Sequence, residues 1–223
     1  MKSYLTSFGI PGIAVVPYGI HMCHFYPSRE ELIAGLIPYI SAGLANNERC
    51  LWLASAPLPV SEIGDEIADA SDLAMGLASG QLMIADAVEW YGELEKLAVE
   101  ESVRRLIDEE ERALADGFNG LRVAGNTSFV PRAAWDRFME YENKLHEQLK
   151  SRRILVCCSY QRAGCQAVDI LDVVHRHDGA VDRPGQHWEF LLASRDKAGK
   201  FRAPSDGQAQ GWASAPLTIA SFP

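Results

Sequence analysis

No stretch of the 223 residues approaches the roughly 18 consecutive apolar side chains that a membrane helix requires. Cations are in short supply: 21 Lys and Arg stand against 30 Asp and Glu, a net charge of −9. A general phosphate-backbone binder needs clustered positive charge, so direct nucleic-acid binding is not expected. Five cysteines, unevenly spread, are too few for a disulfide scaffold, and the expected compartment is the reducing cytoplasm. Residues 1–20 carry a single Lys and are broken by Pro11, Gly12 and Pro17, which argues against a secretory signal.

Several reaction signatures are also missing. There is no G-x-S-x-G nucleophile elbow, no H-E-x-x-H and no C-x-x-C. The junction Tyr26-Pro27-Ser28-Arg29-Glu30 has neither the glycines nor the lysine of a phosphate-wrapping loop. Leu82-Met83-Ile84-Ala85-Asp86 does read like a Walker B strand ending in a magnesium-binding acid. Without the loop, however, NTPase activity is not expected.

What is present is a regular alternation. Strand-length apolar runs occur at His21–Tyr26, Cys50–Ala54, Leu82–Asp86, Gly120–Ala124 and Ile154–Cys158. Between them lie helical patterns: Glu30 to about Asn46 with Pro38 as an expected kink, a weaker region from Val60 to Leu77, a charged helix from Glu93 to Asp116, one from Pro131 to about Lys150, and one from Ala167 to His175. Such an order implies right-handed crossovers and a three-layer α/β fold, a mainly parallel sheet with helices on both faces. Hydrophobic residues at 48% suffice to fill that core. The expected organisation is an N-terminal lead over residues 1–17, one α/β domain over 18–193, and a mobile tail over 194–223, where Gly, Pro, Ser and Gln replace periodic apolar residues.

Ligands of open parallel sheets bind outside the carboxyl ends of the strands. Glu142 is unusual because it interrupts the apolar stripe Trp135, Phe138, Leu145 and Leu149. A carboxylate there must find a partner, such as a backbone group or Arg122, or line a ligand pocket. Soft ligands also cluster in sequence: His21, Cys23 and His24, then Cys157-Cys158, Cys165, His175 and His177. Their spacing matches no standard metal motif, and alternation puts His21 and Cys23 on one strand face with His24 on the other.

The ordered set G-x-H-x-C-x-F-Y at Gly19–Tyr26, Gly43-Leu44 before Glu48, Gly80-Gln81-Leu82, Trp90-Tyr91, Gly117 to Val123, Trp135, Tyr141-Glu142, Cys158, Tyr160 and His175 resembles the MEDS domain, the sensory domain of methanogen and methylotroph regulators. The resemblance spans about residues 18–190. It implies a RecA- or KaiC-like core without a Walker A loop, and sensing of small molecules such as hydrocarbon derivatives. Family members usually sit beside a DNA-binding or kinase domain. This sequence has Asn126-Thr127-Ser128-Phe129 where a more acidic, Trp-containing stretch is expected.

The resulting expectation is a non-enzymatic sensory module that binds a small apolar molecule and signals to a kinase or transcription regulator, with a homodimer as a further possibility. Phe25, Trp52, Trp90, Phe129, Trp135 and Tyr160 are candidate walls of the site. His21, Cys23, Arg122, Asn126, Glu142 and Cys158 complete the candidate ligand-binding set. No cofactor or metal is expected under this reading. The alternatives are a thiolate/imidazole metal or haem sensor using His21, Cys23, Cys158 or His175, and a residual nucleotide binder.

Overall fold

The computed structural model describes residues 5–13, 15–68, 70–184 and 187–192. Strands β1 (Leu5–Ser7) and β2 (Val15–Pro17) form an antiparallel hairpin ahead of the main sheet. The sheet contains β3 (His21–Tyr26), β4 (Arg49–Ala54), β5 (Leu82–Asp86), β6 (Leu121–Asn126), β7 (Ile154–Gln161), β8 (Gly179–Asp182) and β9 (Glu189–Leu192) in the order β5-β4-β6-β7-β3-β8-β9. Every pairing in it is parallel except the last, β8 with β9. The expected three-layer α/β fold is present.

The layering follows from strand alternation. In β4, Leu51 and Leu53 face one helical layer while Cys50, Trp52 and Ala54 face the other. The second layer contains α1 (Arg29–Ala45), α2 (Val60–Glu66) and α3 (Ser71–Ser79), together with the inner side of the N-terminal hairpin. The first layer contains α4 (Ala87–Tyr91), α5 (Val99–Ala115), α6 (Trp135–Leu149) and α7 (Ala167–Arg176). Strands covered on both faces need continuous apolar runs, which is why they were visible in sequence.

Helix α1 runs through Pro38, the residue expected to kink it. Three local expectations are corrected. The weak helical region is two helices, α2 and α3. The charged segment starting at Glu93 is a single 3-10 turn, Leu94–Lys96, followed by α5. Leu82–Asp86 is not a Walker B strand: β5 lies at the sheet edge, four strand positions from β3. At about 4.8 Å per position, that puts Asp86 roughly 19 Å to one side of the turn that would hold the phosphate. Its carboxylate instead caps α4, accepting from the amides of Val88 and Glu89 at 2.8 and 3.0 Å. The tail over 194–223 lies outside the described residues.

Only Pro27 and Ser28 separate β3 from α1, too short a link to wrap a triphosphate. The space beyond the strand end is held by protein contacts. Arg29 donates to Glu66 Oε1 at 2.6 Å, to Glu62 Oε2 at 3.1 Å and to the Pro57 carbonyl at 3.1 Å. Asn126, at the end of β6, donates to the carbonyls of Ser55 and Ala56 and accepts from the Ser55 amide, closing the neighbouring strand ends together.

Candidate functional site

Register brings the site together. In the β3–β7 pairing His21 lies opposite Val156, Cys23 opposite Cys158 and Phe25 opposite Tyr160. All of these project toward the α6–α7 layer. Helix α6 buries Phe138, Tyr141, Glu142, Leu145 and Leu149 against that face. Helix α7 stops at Arg176 and the chain enters β8, which pairs with β3 on its other side. This crossing buries His177 beside His21, with ring centres 3.9 Å apart.

Four side chains therefore converge inside the core: His21, Glu142, Cys158 and His177, whose ligand atoms all lie within 4.8 Å of one another. Glu142 Oε2 is 3.1 Å from His21 Nε2, 3.6 Å from His177 Nε2 and 3.7 Å from Cys158 Sγ. Cys158 Sγ lies 3.4 Å from His21 Nε2. Outside this group, Tyr160 donates its hydroxyl to Glu142 Oε1 at 2.8 Å, which fixes the carboxylate and leaves Oε2 facing inward. His177 Nδ1 lies 2.7 Å from the Val173 carbonyl. A carbonyl only accepts, so Nδ1 carries the hydrogen and Nε2 presents a lone pair to the cluster.

Burial governs the charge of these groups. It pulls His21 and His177 down to about 3, so both rings are neutral near neutral pH. Burial also raises Glu142, against the lowering influence of His177 and the Tyr160 hydrogen bond. Cys158 is pushed well up by burial and by the adjacent Glu142. A buried thiol held in its protonated form is a poor nucleophile, so the cluster is not equipped for thiolate attack.

The other candidate residues are distributed as follows. Cys23, Phe25 and Trp135 share the α6–α7 side with the cluster, and Cys23 approaches the Gly179 carbonyl at 3.5 Å. His24 points to the opposite face, 3.2 Å from Ser159 Oγ. Trp52 is fully buried among the α1–α3 residues. Arg122 faces that side too, so it is not the partner of Glu142; its partner is Glu48, at 2.6 Å. Asn126 sits at the strand ends described above. His175 is exposed on the last turn of α7, while His177 is fully buried. Sequence reasoning left His177 out of the site because nothing local separates two histidines two positions apart; the end of α7 does.

Trp90 and Phe129 lie nearer the surface. Trp90, Tyr91, Leu97 and Ala98 line a cleft of about 440 Å³, with Arg105 over the Trp90 ring at 3.6 Å. Tyr91 stacks on Phe129 at 5.5 Å, and its hydroxyl lies 3.2 Å from that of Tyr141, the residue before Glu142. An aromatic path thus connects the cleft with the neighbourhood of the buried cluster.

The model of the MEDS family (MEthanogen/methylotroph, DcmR Sensory domain) matches residues 20–178. The chain belongs to the MEDS family. All four residues of the buried cluster fall within that MEDS span. A comparison with curated protein sequences finds no match. Among solved structures, the MEDS chain is similar to a KaiC-like protein from the hyperthermophilic archaeon Pyrococcus horikoshii, at 13% identity and a TM-score of 0.56, covering 85% of this chain and 86% of the other. It also aligns with the flagellar accessory protein FlaH from Methanocaldococcus jannaschii, at 12% identity and a TM-score of 0.49, over 78% of this chain and 77% of that one. The first likeness places the MEDS core in the RecA/KaiC-like fold class. Among the described residues no helix is long and apolar enough to cross a membrane.

Proposed function

We propose that this MEDS domain is a non-enzymatic sensory module that binds a small, largely apolar molecule and reports it to a signalling partner, a kinase or a transcription regulator. The observation that carries this reading is the turn after β3. A RecA/KaiC-like sheet is retained, but the phosphate loop is reduced to Pro27 and Ser28, and Arg29 is committed to Glu62 and Glu66. A scaffold without its nucleotide grip keeps a binding fold and loses the reaction.

The open cleft at Trp90 and Tyr91 falls within the size range of small-molecule sites and has a mixed lining, apolar at Trp90, Tyr91, Leu97 and Ala98 and polar at Glu93, Lys96, Glu101, Ser102 and Arg105. A ligand there would press on Tyr91 and, through Tyr141, on helix α6. The outer face of α5, with Arg104, Asp108 and Glu111 exposed, is the surface on which a partner would read the change. A ligand shifts such a module only through its different affinity for two states.

Thermal unfolding of the purified chain tests the proposal with two probes, ATP with Mg²⁺ and a series of short-chain alcohols and ketones. The expected result is no rise in Tm with ATP, and a concentration-dependent rise with at least one apolar member, accompanied by a change in tryptophan emission. A Tm that climbs steadily with ATP concentration would replace the sensory reading with a nucleotide-binding one.

A further inference from the structure

We propose that His21, Glu142, Cys158 and His177 form a closed four-ligand site for a zinc ion. The inference is independent of the apolar ligand discussed above and concerns a different part of the domain.

Distance is the first argument. Tetrahedral zinc has bonds of about 2.0–2.2 Å to nitrogen and oxygen and about 2.3 Å to sulfur, so its ligand atoms stand roughly 3.3–3.7 Å apart. Four of the six separations in the cluster are 3.1, 3.4, 3.6 and 3.7 Å, and all six lie within 4.8 Å, a spread that small side-chain movements would close around an ion. The Glu142 oxygen, the Cys158 sulfur and the two imidazole nitrogens converge from four side chains that are all buried.

Unpaired lone pairs are the second argument. His177 Nε2 is buried and has no hydrogen-bond partner, while its Nδ1 is engaged by Val173. Nδ1–H to a backbone carbonyl with Nε2 directed inward is the arrangement by which proteins orient a histidine toward a metal. Tyr160 does the same for the carboxylate by holding Oε1. An unsatisfied buried acceptor is costly, and a cation at the centre would satisfy it.

Charge is the third. Two neutral imidazoles, one thiolate and one carboxylate balance a divalent ion, leaving a neutral centre within the apolar core. On entry the ion displaces the Cys158 thiol proton, and any proton on Glu142, to solvent; no redox change occurs. The mixed nitrogen, sulfur and oxygen set suits zinc, and four protein ligands leave no open position for a substrate. The ion would join β3, α6, β7 and the α7–β8 junction.

The test uses the untagged full chain. After exhaustive dialysis, elemental analysis is expected to find one zinc per chain. Cobalt(II) added to metal-free protein is expected to give intense visible d–d bands of four-coordinate geometry and a near-ultraviolet thiolate charge-transfer band. Cys158→Ser should abolish the charge-transfer band, whereas Cys165→Ser, outside the cluster, should leave it intact. Tyr160→Phe removes a positioning residue and should weaken cobalt affinity about 10–100-fold while preserving the band shape. Should Cys158→Ser fail to fold, the spectrum of the unaltered chain still decides. No visible cobalt bands in that chain, or a charge-transfer band unchanged by Cys158→Ser, would overturn the assignment.

Discussion

Arg122 Nε donates to Glu48 Oε2 at 2.6 Å with both side chains fully buried. Three of the remaining four guanidinium hydrogens go to the carbonyls of Phe8, Tyr39 and Ser7 at 2.9, 3.0 and 2.7 Å, and the fourth faces the Thr6 hydroxyl at 3.5 Å. Glu48 Oε1 in turn accepts from the hydroxyls of Thr6 and Tyr18. Gly43 makes this geometry possible, because a Cβ at that position would lie 2.5 Å from Arg122 Cδ. The pair ties the N-terminal hairpin to the sheet. Replacing Glu48 with Ala should cost about 3–5 kcal/mol, since it leaves a buried guanidinium without its counter-charge. Urea unfolding measures this, and a cost below about 1 kcal/mol would show that the hub is dispensable.

His24 links stability to acid. Burial lowers its pKa from 6.5 to about 4, and the nearby Arg162 acts in the same direction. Between those values the unfolded chain takes up a proton that the folded chain refuses. Stability is therefore full above the unfolded pKa and falls as the pH drops toward the folded one. This one group is worth roughly 3 kcal/mol across that window. His24→Gln retains a polar contact for Ser159 and should make the decline expected between about pH 6.5 and about pH 4 less steep, leaving the share that His21 and His177 contribute. Parallel pH profiles for the two proteins would contradict the prediction.

The outer face of α5 behaves differently. Arg104 meets Asp108 at 2.7 Å, but both side chains are substantially exposed. Water and salt screen such a pair, so Asp108→Ala should change stability by less than about 0.5 kcal/mol. A loss of more than about 1 kcal/mol in urea unfolding would mean that the pair is far less screened by solvent than its exposure implies.

Phe138 and Leu171 make a matched pair. Phe138 is buried, with Tyr91 and Phe129 edge-on at 5.8 and 6.1 Å, whereas Leu171 is 58% exposed on α7. Phe138→Ala should cost about 3–5 kcal/mol through lost burial and a residual cavity. Leu171→Ala should stay within about 0.5 kcal/mol. Similar costs for the two would mean that α7 is covered in solution.

The strands of the parallel sheet from β3 to β7 were legible because burial on both faces demands unbroken apolar sequence. The hairpin β1–β2 and the strands β8 and β9 were not, being three or four residues long and partly exposed. Asp86 misled because an apolar strand ending in an acid has the same local pattern whether the acid binds magnesium or caps the next helix. Glu142 was recognisable as an anomaly within an apolar stripe, yet its partner was not Arg122. Neighbouring residues in a strand face opposite sides, and Arg122 shares its side with Glu48.

By itself the sequence determined the alternation of strands and helices, the absence of a phosphate-wrapping turn, and the burial of a carboxylate where apolar residues belong. These are local properties, governed by periodicity and by the chemistry of a few adjacent residues. Only the tertiary structure decided that His21, Glu142, Cys158 and His177 meet. That meeting depends on β3 lying between β7 and β8 and on α6 crossing above them, and strand order is a matter of long-range packing that no short window of residues encodes.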